Sequence, residues 1–395
     1  MKILVVSSYL PFPLLSGGNI RLYNLLKLLS KKHKITLICE KRPNQTENDV
    51  KEVEKICEKV ITVERKKQWS AKNVIKTGFS LDAFLITGHK SAEMTGIIKE
   101  ELDKQKYDLI HVETFYVMQN LPKVSLPVVL VEHNIEYLVY KRFVDNAPFF
   151  ARPLLLLDVL KLKKQEEYFW KKATKLVAVS ELEKNIMTRD DVQIVQNGVD
   201  LEKFKFQAPE SKFLNKEKRA LFIGDFKWIQ NKDAVSFIIK EIWPKINLKF
   251  KTGNLKLWIV GRNMPQSLKN LSDDKNVIFD DNNKDKTEDI YGKSFMLLAP
   301  LRVGGGTSYK VLEAMATGTA VVTTNLGIEG IKAKNNVHVL ASEDSETIAK
   351  NAERLLSDKN LYEELAKNAR EFIEKHYSWD EITKKREDVY LSVIN

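Results

Sequence analysis

The fold of this chain is decided by residues 300–330, PLRVGGGTSYKVLEAMATGTAVVTTNLGIEG. Three glycines are followed by a helical pattern that ends at Gly318 and by a short β-branched run from Ala320 to Thr324. Thr307 or Ser308 is the predicted N-cap of the helix. The preceding residues form an apolar run, so the order strand, glycine loop, helix, strand predicts a βαβ unit in a parallel sheet.

The chemistry of this stretch lies in the glycine loop and on one face of the helix. Gly304, Gly305 and Gly306 leave backbone amides uncovered beside a helix N-terminus, which attracts anions. Lys310 and Glu313 fall on one helix face, where small residues surround the carboxylate. Such a carboxylate is costly unless it is solvated or partnered, and a ribose diol would donate two hydrogen bonds to it. A βαβ unit whose glycines only allow tight packing is the alternative, but the isolated carboxylate favours a bound nucleotide diphosphate.

Residues 304–330 closely resemble the nucleotide-sugar signature of the retaining glycosyltransferases of family four (glycosyl transferases group 1), which have the GT-B fold. In that family a pair of glutamates lines the donor site. Glu313 matches the second glutamate, and Gly305 stands at the position of the first, which usually contacts the hydroxyls of the donor sugar. The resemblance implies that Glu313 and the loop Gly304–Thr307 bind the donor.

The N-terminal part of the chain opens with a similar pattern. Lys2–Ser7 is a predicted strand, Gly17 and Gly18 lie in the following loop, and a helix begins near Asn19. The loop lacks the G-x-G-x-x-G motif, which argues against a nicotinamide enzyme. In family four an equivalent glycine pair approaches the donor phosphates, and a histidine in a loop similar to that of His133 lies near the donor sugar. The resemblance makes both glycines donor-binding candidates and His133 a catalytic candidate, with a plain turn and a structural histidine as the alternatives.

Positive charge for the diphosphate is expected from lysine and arginine side chains near the glycine loop. Many relatives carry an arginine and a lysine after the first strand of the second domain, but Asp225 and Asn231 stand at those positions here. We therefore predict Lys310 as the main catalytic cation and Arg262, at the carboxyl end of a predicted strand, as the second. Lys232 is the alternative partner for the diphosphate.

Two consecutive α/β patterns organise the chain. A length of 395 residues allows two domains, and the patterns predict two Rossmann-like, doubly wound domains that face each other across a cleft, as in GT-B proteins. We assign residues 1–200 to an N-terminal acceptor-binding domain and residues 201–377 to a C-terminal nucleotide-sugar-binding domain. Residues 378–395 form a predicted amphipathic helix, which GT-B chains often return to the first domain.

Composition limits the class of protein and its surroundings. The chain is 43% hydrophobic and 30% charged, as in an ordinary globular protein, with a formal net charge of +11. Cys39 and Cys57 have no metal-ligand spacing, which favours a reduced, cytoplasmic compartment. No apolar run approaches the ~20 residues that span a bilayer. No aspartate-x-aspartate motif ends a predicted strand, so we expect neither a metal ion nor a cofactor besides the nucleotide-sugar co-substrate.

Basic and apolar residues are interleaved between Tyr140 and Leu176. This mixture is typical of a peripheral contact with an anionic membrane, here at its inner face, although a long helix with a solvated basic face would give the same pattern. Nucleic acid is disfavoured as a partner, because the basic residues of the chain are mixed with acids and no nucleic-acid-binding motif is present.

These observations predict a retaining, metal-independent glycosyltransferase of the hexosyltransferase type. It would move a sugar from a nucleotide diphosphate sugar to the hydroxyl of a saccharide or lipid-linked acceptor, in polysaccharide or glycoconjugate synthesis. Two alternatives stay open at this point: a GT-B nucleotide-sugar epimerase, and a non-catalytic nucleotide-sugar-binding protein, which the missing first glutamate favours.

Overall fold

The structure is a computed structural model, and it describes residues 1–66, 68, 73, 77–78, 80–145, 147–214, 217–249, 255–304 and 306–394. The chain divides into two compact units. The first comprises residues 1–196 and 382–395, and the second comprises residues 197–381. Gly305, the position of the first family glutamate, lies outside the described residues.

The first unit is built on a seven-stranded sheet with the strand order β3-β2-β1-β4-β5-β6-β7. Every neighbouring pair is parallel. The central strands are buried along nearly their whole length, as expected for parallel strands that are covered on both faces. The strands are β1 (Lys2–Ser7), β2 (Lys34–Lys41), β3 (Lys59–Glu64), β4 (Leu109–Glu113), β5 (Val128–Val131), β6 (Lys175–Ala178) and β7 (Gln193–Ile194).

Helices connect these strands and supply the rest of the core. Trp170 is fully buried and Phe169 nearly so, which means that these two aromatic residues of the basic and apolar stretch belong to the core and not to the surface. The described helices are α1 (Gly17–Leu29), α2 (Glu47–Glu54), α3 (Phe84–Thr87), α4 (Ala92–Lys104), a 3-10 helix (Phe115–Asn120), α5 (Glu136–Asp145), α6 (Arg152–Lys172) and α7 (Glu181–Ile186).

The second unit contains a six-stranded parallel sheet with the strand order β10-β9-β8-β11-β12-β13. Strand β11 lies between β8 and β12, so the loops after β8 and β11 leave the same edge of the sheet side by side. The strands are β8 (Lys218–Ile223), β9 (Leu255–Val260), β10 (Val277–Asp280), β11 (Met296–Ala299), β12 (Ala320–Thr323) and β13 (Leu340–Ala341). Both sheets confirm the predicted α/β class with Rossmann-like, doubly wound units.

The helices of the second unit follow the sequence pattern closely. The glycine-loop helix is α13, and it ends at Thr317, directly before Gly318, as predicted. The described helices are α8 (Pro209–Leu214), α9 (Ile229–Phe237), a π-helical stretch (Ile238–Ile242), α10 (Trp243–Lys249), α11 (Gln266–Lys269), α12 (Thr287–Gly292), α13 (Tyr309–Thr317), a 3-10 helix (Leu326–Ile328), α14 (Ser345–Ser357) and α15 (Lys359–Tyr377).

One predicted boundary is wrong by about a turn. The apolar pattern of the sequence predicts a helix from about Asp233 to Lys245, but the helix begins at Ile229 as α9 and runs through the π-helical stretch into α10. Asn231, which pattern alone places in a polar loop, is buried in the first turn, where its Nδ2 donates to the carbonyl oxygen of Asp225 over 2.9 Å. A side chain that satisfies the backbone before the helix allows a polar residue to sit inside it.

The last helix, α16 (Trp379–Ile394), packs on the first unit through its C-terminal part. Ile382, Arg386 and Tyr390 recur at a spacing of one turn and are fully buried. The hydroxyl of Tyr390 lies 2.5 Å from Nδ1 of His111 in β4. This helix therefore reaches the interior of the sheet that carries the N-terminal candidate residues.

Candidate functional site

The glycine loop joins β11 to α13. Gly304 and Gly306 have φ angles of 115° and 79°, a region that glycine adopts without strain. Ser308 stands at the N-cap of α13, but its side chain does not accept a capping hydrogen bond. Thr307 instead donates its hydroxyl to the carbonyl oxygen of Gly330 over 3.3 Å. The loop is thus tied to the segment that follows β12, while the first turn of α13 lacks a side-chain cap.

Glu313 is the carboxylate of this helix, and its charge is not matched by a cation. One oxygen, Oε2, accepts a hydrogen bond from the hydroxyl of Tyr291 over 2.9 Å. No ion pair to Glu313 is found within the described part of the chain. Burial raises the pKa of Glu313 to about 7, even though the Tyr291 hydrogen bond and the charges of Lys203 and Lys310 act in the opposite direction. A group that donates hydrogen bonds to the second oxygen would favour the ionised form.

Lys310 has the complementary arrangement. Its Nζ donates to Oδ1 of Asn231 over 2.7 Å and lies 4.1 Å from the centre of the Phe222 ring. Burial lowers the pKa of Lys310 to about 7, and the charge of Glu313 offsets this only in part. The ammonium therefore lies at the end of β8, beside Phe222 and Asn231. An anion at this edge would restore its charge.

Asp225 occupies the position of the arginine that relatives carry after β8. Its Oδ2 lies 3.5 Å from Nη2 of Arg262 and 3.5 Å from Nζ of Lys227. Asn263 donates to its Oδ1 over 2.8 Å. Arg262, the predicted second cation, is thus beside a loop carboxylate, with 58% of its side chain exposed. Its role toward a phosphate stays a prediction.

Helix α9 lies against the glycine loop and carries Lys232. A Cβ added at Gly304 would lie 3.6 Å from Cβ of Gln230. Arg302, just before the loop, donates to both carboxylate oxygens of Asp233, over 2.8 and 3.1 Å. Lys232 is half-buried on this helix. The structure therefore brings Lys232 to the same sheet edge as Lys310 and leaves its alternative role as a prediction.

The N-terminal candidates also come together, inside the first unit. Gly17 and Gly18 form the first turn of α1, and a Cβ added at Gly18 would lie 3.4 Å from Nδ1 of His133. His133 follows β5 and is partly exposed, with 17% of its side chain accessible. Its Nε2 lies 2.5 Å from Oε1 of Glu113, the fully buried last residue of β4. His111 is buried and bonded at both ring nitrogens, as a structural histidine would be.

Three contacts at these sites were not anticipated from the sequence. Glu113 follows a predicted buried strand, so the rule that ligands collect at the carboxyl ends of strands could have singled it out. Asn231 was recognised only as a missing lysine. Tyr291 gives no local signal, because its partner Glu313 is 22 residues away in the chain.

Two kinds of feature are absent from the described residues. They contain no group of three or more histidine, cysteine, aspartate or glutamate side chains that could hold a metal ion. Asp280 accepts a hydrogen bond from Nε1 of Trp258 over 3.2 Å. Within the same described ranges, no helix is both long and apolar enough to cross a bilayer.

Comparison with known proteins gives matches over most of the chain. A family model described as "Glycosyltransferase Family 4" matches residues 15–203, and one described as "Glycosyl transferases group 1" matches residues 217–358. A protein of Klebsiella pneumoniae, described as an uncharacterized 44.6 kDa protein in the cps region, is 25% identical over 395 residues. That match covers 95% of this chain and 96% of the relative.

Solved structures share the fold at low sequence identity. Sucrose-phosphate synthase from Thermosynechococcus elongatus has a TM-score of 0.71 at 15% identity, with 99% of each chain covered. Anabaena HepE in complex with UDP-glucose has a TM-score of 0.64 at 13% identity, with 99% of this chain and 100% of that chain covered. The family matches to both units show that the chain belongs to the group 1 glycosyl transferases, glycosyltransferase family four, and these structures show that it has the GT-B fold.

Proposed function

We propose that this glycosyltransferase moves a sugar from a nucleotide diphosphate sugar to an acceptor hydroxyl, with retention at the anomeric carbon and without an essential metal ion. The observation that carries the proposal is the pair Lys310 and Glu313 on one face of α13. Among the described residues, the hydrogen-bond partners of these two groups are neutral: Asn231 for the ammonium and Tyr291 for the carboxylate. A ribose diol and a diphosphate would satisfy these two groups together.

The chemistry follows from the charge that develops when the glycosidic bond of the donor breaks. Negative charge grows on the departing diphosphate, and Lys310 with the uncapped first turn of α13 would stabilise it without reorganising. This arrangement supplies from the chain the positive charge that a metal ion provides in other transferases. HepE, a neighbour in fold, was solved in complex with UDP and with UDP-glucose, which supports a nucleotide-sugar donor for this chain.

The acceptor is proposed to be a saccharide or a lipid-linked saccharide in polysaccharide or glycoconjugate synthesis. The support is the relative from the Klebsiella pneumoniae cps region, which matches nearly the whole chain. A lipid-linked acceptor fits a protein that works in the cytoplasm at the inner face of the membrane.

Calorimetry against a panel of nucleotide diphosphate sugars, followed by product analysis, tests the function. We expect binding of one donor, transfer to an acceptor with an unchanged anomeric configuration, and activity that persists in EDTA. Glu313→Ala should weaken binding of the free nucleotide by about 1.5 to 3 kcal/mol, the range for hydrogen bonds to a charged group. Unaltered affinity in the folded variant would remove Glu313 from the site. Turnover of the donor without an acceptor would indicate an epimerase, and binding without any turnover would indicate a binding protein.

We also propose that α5, α6 and the segment between them contact an anionic membrane. Large apolar side chains are exposed there: Phe149 by 81%, Phe150 by 76% and Leu154 by 72%. Leu157 and Leu160 continue this surface along α6 and are more than half exposed. So many apolar side chains on one short segment are unusual on a protein surface that meets only water.

Basic side chains flank this apolar surface. Lys141, Arg152 and Lys164 are exposed on the same two helices, and Lys171 and Lys172 are exposed at the end of α6. Lys161 is turned inward, since its Nζ donates to the carbonyl oxygens of Thr77 and Ser80. Apolar residues that enter the interface and lysines that face lipid phosphates favour a bilayer over a purely apolar partner.

Vesicle co-sedimentation tests the membrane proposal. We expect binding to vesicles that contain phosphatidylglycerol, weaker binding at high salt, and little binding to phosphatidylcholine alone. Replacing Phe149 and Phe150 by serine should reduce binding at least tenfold, since burying each ring contributes about 1.5 to 3 kcal/mol. Leu214→Ser is the matched control, because Leu214 is 82% exposed but lies in the second unit. No binding at low salt, or equal loss in the control, would contradict the proposal.

A further inference from the structure

A chain of hydrogen bonds runs from the last helix, α16, to the first turn of α1, where Gly17 and Gly18 lie. The hydroxyl of Tyr390 lies 2.5 Å from Nδ1 of His111. Nε2 of His111 lies 2.6 Å from Oε2 of Glu113, and Nε2 of His133 lies 2.5 Å from Oε1 of the same carboxylate. Nδ1 of His133, at the end of this chain, is the nitrogen that lies beside Gly18.

The protonation states along this chain follow from its surroundings. Burial lowers the pKa of His111, and this effect, with the charges of the buried Arg386 and Arg21, outweighs the contact with Glu113 that acts in the opposite direction, which favours the neutral ring. Burial alone would raise the pKa of Glu113, but its contacts with the two histidines bring it well below the usual value. An ionised Glu113 can only accept hydrogen bonds. Both histidines therefore donate from Nε2, and His111 accepts the Tyr390 proton at Nδ1.

We infer that Glu113 is a positioning residue for the transfer reaction, and that it holds His133 as the Nε2–H tautomer with the Nδ1 lone pair beside Gly18. The role of His133 in transfer rests on the proposed function, but its tautomer does not. A ring nitrogen with a lone pair accepts a hydrogen bond from a hydroxyl group and repels a phosphate oxygen. Glu113 thus determines which kind of ligand group His133 can bind beside Gly18.

A second buried histidine shows what distinguishes His133. Nδ1 of His89 lies 2.8 Å from Oε2 of Glu40, and its Nε2 lies 3.2 Å from Nη2 of Arg65. Both nitrogens of His89 are therefore used inside the protein. Within the described residues Nδ1 of His133 has no hydrogen-bond partner, so this nitrogen is available to a ligand.

Glu113→Gln makes a definite prediction, because a glutamine amide has one accepting and one donating end. Tyr390 keeps a proton directed at Nδ1 of His111, so His111 must still donate from Nε2 and takes the glutamine oxygen. The NH2 group of glutamine then faces Nε2 of His133, which has to become an acceptor. We expect His133 to switch to the Nδ1–H tautomer, and its lone pair to leave the Gly18 side.

Nitrogen-15 NMR of the histidine rings measures this switch without any substrate. The signals of His133, one of six histidines, are assigned by their loss in His133→Gln. We expect the Nε2–H pattern in the wild type and in the control Glu40→Gln, and the Nδ1–H pattern in Glu113→Gln. An Nδ1–H pattern or a doubly protonated ring in the wild type would overturn the inference even if Glu113→Gln failed to fold, and so would an unchanged His133 pattern in a folded Glu113→Gln.

Kinetics then test whether the orientation matters for transfer. Glu113→Gln should lower kcat about 10- to 100-fold, as for other partners that orient a functional histidine, with donor KM changed less than about threefold. Glu40→Gln, which breaks a comparable buried pair, should leave kcat near the wild-type value. Equal losses of kcat in the two variants would show a general structural effect and overturn the positioning role. If no variant or wild type transfers sugar, the proposed function fails, while the NMR result stands by itself.

Discussion

Lys310→Met is the substitution that tests the site most directly. Methionine keeps the length and the apolar contact with the Phe222 ring, where the ammonium lies 4.1 Å from the ring centre, and removes only the charge. Asn231 loses its hydrogen-bond partner over 2.7 Å but is still held by Asp225. Any large loss of activity therefore reports on the ammonium and not on packing.

The size of the effect follows from electrostatics at a partly buried site. A unit charge about 4 Å from a phosphate oxygen contributes about 4 kcal/mol at an effective dielectric constant of about 20. The charge on the diphosphate grows as the glycosidic bond breaks, so most of this energy acts on the transition state. We expect kcat to fall about 100- to 1000-fold and donor KM to rise less than tenfold.

Steady-state kinetics of Lys310→Met, Lys232→Met and Arg262→Met decide among the three candidate cations. Near-wild-type kcat in Lys310→Met, with a large loss only in Lys232→Met, would refute the assignment. Rescue gives a further control, because Asn231 stands where relatives carry a lysine and touches the same ammonium. Adding Asn231→Lys to Lys310→Met should recover part of kcat, since it returns a cation to the end of β8 from the opposite side.

The pH dependence of donor binding provides an independent check on Lys310. With a pKa of about 7, the lysine is protonated below that pH and must take up a proton to bind phosphate above it. Donor affinity should therefore fall above pH 7, by at most about tenfold per pH unit. Glu313 also titrates near pH 7 and its ionisation acts in the other direction, so the measurement is made in Glu313→Gln. Calorimetry that shows no proton uptake at pH 8 would contradict a neutral lysine.

Two other substitutions test the energetic cost of burying the Glu313 charge and the close packing of Gly330 against Thr307. Glu313→Gln should raise the free energy of unfolding of the nucleotide-free protein by about 1 to 3 kcal/mol at pH 8. Burial raises the pKa of Glu313 in the folded protein from 4.5 to about 7. The destabilisation caused by its charge is therefore absent below pH 4.5, grows between pH 4.5 and 7, and is constant above pH 7. Urea denaturation at pH 4 should thus show no gain in the free energy of unfolding for Glu313→Gln. Gly330→Ala would place a Cβ 2.6 Å from the backbone N of Thr307 and should destabilise the protein by about 1 to 3 kcal/mol and weaken donor binding. Gly96→Ala, in α4 with open space around the added Cβ, should be neutral or stabilising in the same thermal unfolding assay.

Local pattern was enough to predict most of the fold. The bounds of β1 coincide with those predicted, because a continuous apolar run is a property of neighbouring residues. The start of α9 was misplaced because Asn231 is stabilised by a contact with Asp225, which pattern does not record. Errors of this kind arise where a polar side chain hydrogen-bonds to the backbone and not to water, and can therefore be buried.

The candidate site was predictable residue by residue but not contact by contact. Glu313, Lys310 and the glycine loop follow from the βαβ pattern and the family resemblance. The partner of Lys310 lies 79 residues away in sequence, and the partner of Glu313 lies 22 residues away. The contact of Lys310 with Asn231 depends on β8 and β11 being neighbours in the sheet, and the contact of Glu313 with Tyr291 depends on the packing of α12 against α13, neither of which a single sequence specifies.

A comparison with the buried Lys212 shows why we propose that Lys310 binds a ligand and does not serve only to stabilise the fold. The ammonium of Lys212 donates to three carbonyl oxygens, those of Tyr291, Gly292 and Ser294, over 2.9, 2.9 and 3.0 Å. All three of its donors are satisfied, so Lys212 joins two segments of the second unit and needs no further partner. Lys310 has one such bond and an aromatic ring, and its charge is left without a counterion among the described residues. Replacing buried ionic groups with well-packed apolar residues is often neutral or stabilising, so an ammonium at this position is not needed for the fold alone. We therefore propose that the lysine beside the glycine loop serves an anion that binds there during the reaction.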